Sequence, residues 1–167
     1  MKKVIAFLLL PLILTLSACA VKQAQALETI ECPAVQDAPG FFLSAELPAG
    51  TVLASSADAG RSAVFVHEDF TLAQEVFAAD SLESALLRVT GRPADELELL
   101  RVCSFPQEEY RFAWTAAGED GDLTCSAALF SDGAYYYALS VLCGAAHEKE
   151  YRTVFSDLLA SAELEAV

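Results

Sequence analysis

The feature that most limits the fold is a run of three strand-like segments in the second half of the chain, residues 110–115, 123–130 and 135–142. They are joined by Gly118-Glu119-Asp120-Gly121 and by Asp132-Gly133, the latter a strong two-residue hairpin signal. Hairpins of this kind make antiparallel neighbours. With turn centres at Glu119-Asp120 and Asp132-Gly133, one sheet face carries the rows Trp114/Cys125/Ser140, Phe112/Ala127/Ala138 and Tyr110/Leu129/Tyr136. Large residues then sit beside small ones, leaving grooves for a helix. The opposite face carries Ala113/Ser126/Leu139 and Thr115/Thr124/Val141 and is also moderately apolar, so both faces are expected to be covered.

Two amphipathic segments supply the cover. Asp80-Ser81-Leu82-Glu83 gives an N-cap with an acid three residues on, and Leu82, Ala85, Leu86 and Val89 repeat at helical spacing until Gly91 and Pro93. The spacing predicts a helix over 81–90. A second and clearer one starts at His147 and carries Tyr151, Val154, Phe155, Leu158 and Leu159; it is expected on the aromatic face. Residues 41–47, 51–56, 63–67 and 72–78 read as short strands, separated by Pro48-Ala49-Gly50 and Asp58-Ala59-Gly60, and residues 97–103 alternate weakly. A length of about 125 ordered residues suffices for one core and hardly for two, so residues 41–167 are read as a single α+β domain.

The first twenty residues have a different character. Lys2 and Lys3 precede residues 4–16, an uncharged and mostly apolar run, followed by Ser17-Ala18. This is a signal-peptide layout. Crossing a bilayer takes about 20 apolar residues, and Lys22 with the polar stretch behind it stops the run short of that. Leu16-Ser17-Ala18-Cys19 resembles the bacterial lipobox, in which small residues admit the chain to a lipoprotein signal peptidase and the cysteine thiol carries a diacylglyceryl group. The resemblance implies a signal peptide over 1–18, lipidation at Cys19, and membrane attachment through the acyl chains, each buried CH₂ contributing about 0.8 kcal/mol. It further implies an extracytoplasmic protein. Because residue 20 is Ala, it would lie at the outer membrane of a two-membrane cell, and otherwise on the outer face of the plasma membrane. Residues 20–40 mix Ala, Gln, Glu and Pro without a period and read as a tether from Cys19, reaching about 25 Å as a coil.

Charge narrows the partners. Removing 1–18 takes away Lys2 and Lys3 and no acid, so the net charge of −14 becomes −16, from 8 Lys and Arg against 24 Asp and Glu. Such a surface repels nucleic-acid phosphates and anionic headgroups alike. Nucleic-acid binding is disfavoured, and attachment to a membrane has to come from the lipid. The acidity itself is read as solubility on a crowded cell surface.

The order of elements carries a second resemblance. Short strands beginning "GFFLSAELPAG", the helix "SLESALLRV", three long strands, and the ending "DGAYYYALSVL…EYRTVFSDLLASAEL" resemble the PsbP-like fold over residues 41–164. That fold is shared by a photosystem extrinsic subunit, a nuclear-transport regulator that binds a small GTPase, and small bacterial lipoproteins. The resemblance implies a central antiparallel sheet of about six or more strands between helices, and a binding or assembly role without catalysis. It carries no functional residues over, and Cys103, Cys125 and Cys143 are not part of its pattern.

Beyond Cys19, the cysteines are Cys32, Cys103, Cys125 and Cys143. Four in an exported chain suggest disulfides, with three connectivities. In the register above Cys143 faces Asp122, three residues and about 10 Å along from Cys125, beyond bridging distance. Cys103 and Cys125 lie on strands separated by a third. Cys32 is left as the flexible partner for Cys103 or Cys143, and Cys125 is expected as a buried thiol beneath Trp114. No two of these four lie closer than 18 residues, which argues against a zinc site.

His67-Glu68 and His147-Glu148 each begin like HExxH, but Thr71 and Tyr151 stand where the second ligand belongs. Glu119, Asp120 and Asp122 could hold calcium in their turn, although acids are common in hairpin turns and no loop-closing Glu follows. No nucleophile elbow, phosphate loop or dinucleotide fingerprint is present, and no cofactor is expected. Tyr135-Tyr136-Tyr137 places aromatics on both faces, and an exposed Tyr135 or Tyr137 would mark a recognition surface. The expectation is a non-enzymatic binding or assembly module whose partner is another envelope or extracellular component. The alternatives are a thiol-dependent enzyme or redox protein using Cys103, Cys125 or Cys143, and a cation or ligand sensor built on the 118–122 turn.

Overall fold

The computed structural model describes residues 38–103, 107–119 and 121–167. In chain order the strands are β1 (Phe41–Ser44), β2 (Val52–Ala57), β3 (Ser62–Val66) and β4 (Phe70–Phe77), then helix α1 (Leu82–Thr90). After it come β5 (Leu100–Cys103), β6 (Glu108–Gly118), β7 (Gly121–Ser131), β8 (Tyr136–Gly144), helix α2 (Glu148–Ser161) and β9 (Glu163–Ala166). Seven strands form one antiparallel sheet in the order β2-β3-β4-β8-β7-β6-β5, and β1 pairs with β9 in a separate two-stranded ribbon. The architecture is the α+β arrangement read from the sequence, its central sheet of seven strands within the six or more expected, with the two-stranded ribbon added.

Strands β6 and β7 pair in the expected register, Gly118↔Gly121 through Trp114↔Cys125 to Tyr110↔Leu129. The β7–β8 register differs by two residues: Cys125 faces Leu142, Ala127 faces Ser140, and Leu129 faces Ala138. Asp132 is the reason. Its N–H donates to the Tyr135 carbonyl at 3.3 Å, so it still belongs to the ladder. Its Oδ1 accepts from the backbone N–H of Ala134 at 2.8 Å and of Tyr135 at 2.7 Å. The turn therefore centres on Gly133-Ala134, with Gly133 at φ 91, a conformation glycine takes at little cost. A shift of two leaves every side chain on its predicted face, because the pleat repeats every two residues.

Helix α2, expected on the aromatic face, lies on the opposite one. Helix α1 buries Ala85 and Leu86 against Phe77, Tyr110, Phe112, Ala127, Leu129 and Ala138, the aromatic face. Helix α2 buries Phe155, Leu158 and Leu159 on the other face, against Phe70, Leu72, Tyr137, Leu139 and Val141. The cause is strand order. Strand β4 returns to pair with β8 from Phe70↔Cys143 to Phe77↔Tyr136, and this brings Phe70, Leu72 and Val76 to the face that looked only moderately apolar. That face becomes the larger core, and the longer helix lies on it. Leu72, Leu86, Leu129 and Leu139 are all fully buried, each contributing about 1.5–3 kcal/mol.

Local signals set the helix ends. The Ser81 hydroxyl accepts from the Ser84 N–H at 3.1 Å, and Gly91 closes α1 in the left-handed region at φ 69 with its N–H on the Leu87 carbonyl at 2.8 Å. No local sequence pattern announces the ribbon. Strand β9 follows α2 directly and pairs Phe41↔Ala166 through Ser44↔Glu163. The ribbon lies over the α2 face, with Leu43 in that core and the Gln74 side-chain amide donating to the Leu43 carbonyl at 3.1 Å.

Candidate interaction surface

Strand β5 is much shorter than the strand it pairs with. It matches Leu100↔Arg111, Arg101↔Tyr110 and, after a bulge, Cys103↔Glu109. Among the described residues no strand pairs with Phe112–Gly118 of β6 on that side. The Thr115 carbonyl points outward, since it accepts from Arg92 Nη2 at 2.6 Å. With the period of two, Ala113 and Ala117 present their N–H and C=O groups the same way. The side chains of Ala113, Thr115 and Ala117 are small and exposed.

Arg92 is placed by the end of α1. Gly91 reverses the chain, the Arg92 N–H donates to Thr90 Oγ1 at 3.0 Å, and the guanidinium reaches both the edge carbonyl and Glu96, 3.6 Å away. An open cleft of about 370 Å³ runs along this edge, lined by Arg92, Glu96, Trp114, Thr115, Thr124 and Glu148. Glu148 pairs with Arg152 at 3.0 Å across one turn of α2. Further exposed apolar side chains lie on the two edge strands, Leu100 at 63% and Val102 at 47% on β5, Val52 at 63% and Leu53 at 58% on β2. The sequence does not signal the bare edge: residues 97–103 and 110–115 read as strands of similar length, and β6 is left bare beyond Arg111 only because β5 starts as late as Leu100.

The thiols are placed differently. Cys125 and Cys143 are both free and buried, on adjacent strands. Cys143 faces Thr124 rather than Asp122, so it is one row from Cys125 but on the opposite face of the sheet, where no bridge can form. Cys143, a candidate partner for Cys32, sits in the core under α2 with its thiol unpaired. Burial pushes the Cys125 thiol up to about 11, with the neighbouring Cys143 adding and Arg92 opposing. Burial, then Glu148, raises Cys143. Both shifts suppress the thiolate, the nucleophilic form. Cys103 ends β5 opposite Glu109, while Cys19 and Cys32 lie outside the described residues.

The remaining candidates serve structure. His67 stacks on Phe70 with ring centroids 4.2 Å apart, and its Nδ1 accepts from the Asp69 N–H at 3.3 Å. His147 precedes α2 with Nδ1 3.9 Å from Glu150. Tyr135 and Tyr137 are both buried, so neither marks a recognition surface; the Tyr137 hydroxyl donates to Asp132 Oδ2 at 2.6 Å. Of the acidic turn, Asp120 lies outside the described residues, and among the described residues no group of three His, Cys, Asp or Glu is placed to hold a metal.

Neither a family model nor a curated protein sequence matches the chain. Solved structures do. The solution structure of cyanobacterial PsbP (CyanoP) from Synechocystis sp. PCC 6803 aligns over 81% of this chain and 99% of its own, at 12% identity and a TM-score of 0.51. The crystal structure of LpqN, involved in cell envelope biogenesis of Mycobacterium tuberculosis, aligns over 84% of this chain and 95% of its own, at 10% identity and a TM-score of 0.53. The fold is therefore PsbP-like.

Proposed function

We propose that the chain is a surface-anchored bacterial lipoprotein whose single α+β domain binds or helps assemble another component of the cell envelope, without catalysis. The observation that carries this reading is a lipobox-like Leu16-Ser17-Ala18-Cys19 ahead of a domain that shares its fold with an envelope-biogenesis protein. Lipid on Cys19 holds the domain outside the cytoplasm, on the plasma membrane or on the outer membrane of a two-membrane cell. A chain at −16 has no electrostatic attraction to anionic lipid, so the anchor does all of the holding. The buried, protonated thiols Cys125 and Cys143 speak against the thiol-dependent alternative.

Cys19→Ser tests the anchor in the native cell. Loss of palmitate label together with release of the domain, or retention of the uncleaved precursor, is the expected result. Normal cleavage with unchanged membrane retention would refute it. For the thiols, alkylation of native Cys125 and Cys143 should run far below the rate in urea; a fast native rate at neutral pH would revive the redox reading.

A further inference from the structure

We infer that the bare edge of β6 is a strand-addition site, at which an extended, Lys- or Arg-containing segment of another protein pairs with Ala113, Thr115 and Ala117. The inference deepens the binding role proposed above and rests on it.

Three observations carry it. The outward N–H and C=O groups of these residues have no strand partner among those described, while the Thr115 carbonyl already attracts a guanidinium at 2.6 Å. An exposed edge of this kind is a template for another strand unless it is short, charged or interrupted by proline. Here it runs from Phe112 to Gly118 without a Lys, Arg or Pro. Next, the side chains that a neighbouring backbone must pass are Ala, Thr and Ala, with Leu100 exposed on the same face beyond them, as its pairing with Arg111 fixes. Such a surface offers main-chain pairing for affinity and an apolar contact for selectivity.

The third observation is charge, which selects the occupant. Glu96 and Glu148 line the cleft, and Glu119 and Asp122 stand at the hairpin end of the edge. Glu96 and Glu148 are paired with Arg92 and Arg152, so the acids left to meet a partner are Glu119 and Asp122, within a strongly acidic chain. A second copy of the processed chain would bring another net −16, whereas a basic segment meets the free acids directly and can replace Arg92 on Thr115.

The test uses the full chain in its own cells, with a photocrosslinking amino acid at Thr115 or, as a control, at Ser56 on the opposite sheet edge. The expected result is a crosslink from position 115 and not 56, mapping to a Lys- or Arg-containing extended segment of a different protein. Ala113→Pro/Ala117→Pro removes two outward N–H groups and leaves the inward β6–β7 bonds, because outward edge positions tolerate proline. It should cut the crosslink at least tenfold. Should that variant melt, Ala113→Asp/Ala117→Asp replaces it, adding repulsion to the same backbone. Equal crosslinking at both edges, a product made only of this chain, or a crosslink that survives both variants would overturn the inference. Failure of the lipid-anchor reading shows separately, as normal cleavage and unchanged membrane retention in the Cys19→Ser strain, whatever crosslinks position 115 makes.

Discussion

Asp132→Ala is a stringent test of the way the central hairpin is held. The carboxylate takes three donors at once: the N–H groups of Ala134 and Tyr135, and the hydroxyl of the fully buried Tyr137. Ala134 is exposed and can turn to water, so its bond contributes little. The Tyr135 bond is worth about 1 kcal/mol net, and leaving the buried Tyr137 O–H without its acceptor, although the Phe41 backbone still bonds its oxygen, costs about 1–3 kcal/mol. The substitution should therefore destabilise the domain by about 2–4 kcal/mol, lowering Tm by roughly 8–16 °C at about 4 °C per kcal/mol for a domain of this size. Tyr137→Phe removes the hydroxyl together with its need for a partner and should cost only about 1 kcal/mol. In the double variant the orphan disappears, so its cost should fall short of the sum by about 1 kcal/mol or more. Urea unfolding followed by the fluorescence of Trp114, the one tryptophan, measures all three. A cost below about 0.5 kcal/mol for Asp132→Ala, or strict additivity, would refute the reasoning.

Two further effects are open to the same assay. Ala59 sits at φ 55, ψ 37, between Asp58 at φ 54 and Gly60 at φ 87, so Ala59→Gly should relieve about 1–2 kcal/mol of left-handed strain against about 0.5–1 kcal/mol of added chain entropy. A small net rise in the urea midpoint is expected, and a fall would contradict the strain. The hydrogen bond from the Tyr151 hydroxyl to Asp69 Oδ2 at 2.7 Å, with burial behind it, pushes Tyr151 up to about 12 from its ordinary 10.0. A folded-state value raised in this way gives stability that is present below pH 10 and is lost as pH climbs towards 12. Tyr151→Phe should flatten that alkaline decline in the Tm profile; an unchanged slope would mean that the bond does not persist in solution.

Residue patterns disclosed some parts of this fold and hid others for identifiable reasons. Helix α1 is legible because its stripe and Gly91 agree, although the cap is Ser81 on the Ser84 N–H and not the Asp80–Glu83 pair. The β6–β7 register was legible because Gly118 and Gly121 bracket a short turn. The β7–β8 register differs from the pattern because Asp-Gly signals a turn without revealing that the Asp side chain binds the two amides after the glycine. Strand β9, "ELEA", has the composition of a helix, and only pairing with β1 makes it a strand. The face chosen by α2 depended on β4 returning beside β8, a contact of some 70 residues' separation to which local periodicity is blind. The bare stretch of β6 was hidden for the same reason, since an edge exists only by virtue of what fails to pair with it.

That edge, with the exposed Val52 and Leu53 on β2, raises the question of what keeps copies of the domain apart. Neither edge strand carries the lysines or prolines that usually guard such positions. The remaining safeguard is the acid surplus of −14, which acts at a distance and is screened by salt. The Debye length falls from about 10 Å at 0.1 M to about 3 Å at 1 M, so repulsion between two approaching edges is largely removed over that range. Self-association measured by sedimentation velocity should accordingly rise with NaCl. Salt also strengthens apolar contact in general, and substitution separates the two effects. Val52→Lys and Thr115→Lys place a local charge on each edge and should suppress the salt-induced species if it forms edge to edge. A salt-induced species that persists undiminished in both variants would mean that the copies meet on some other surface. Association that is absent at every salt concentration would mean that the edges are guarded by their own geometry, not by charge.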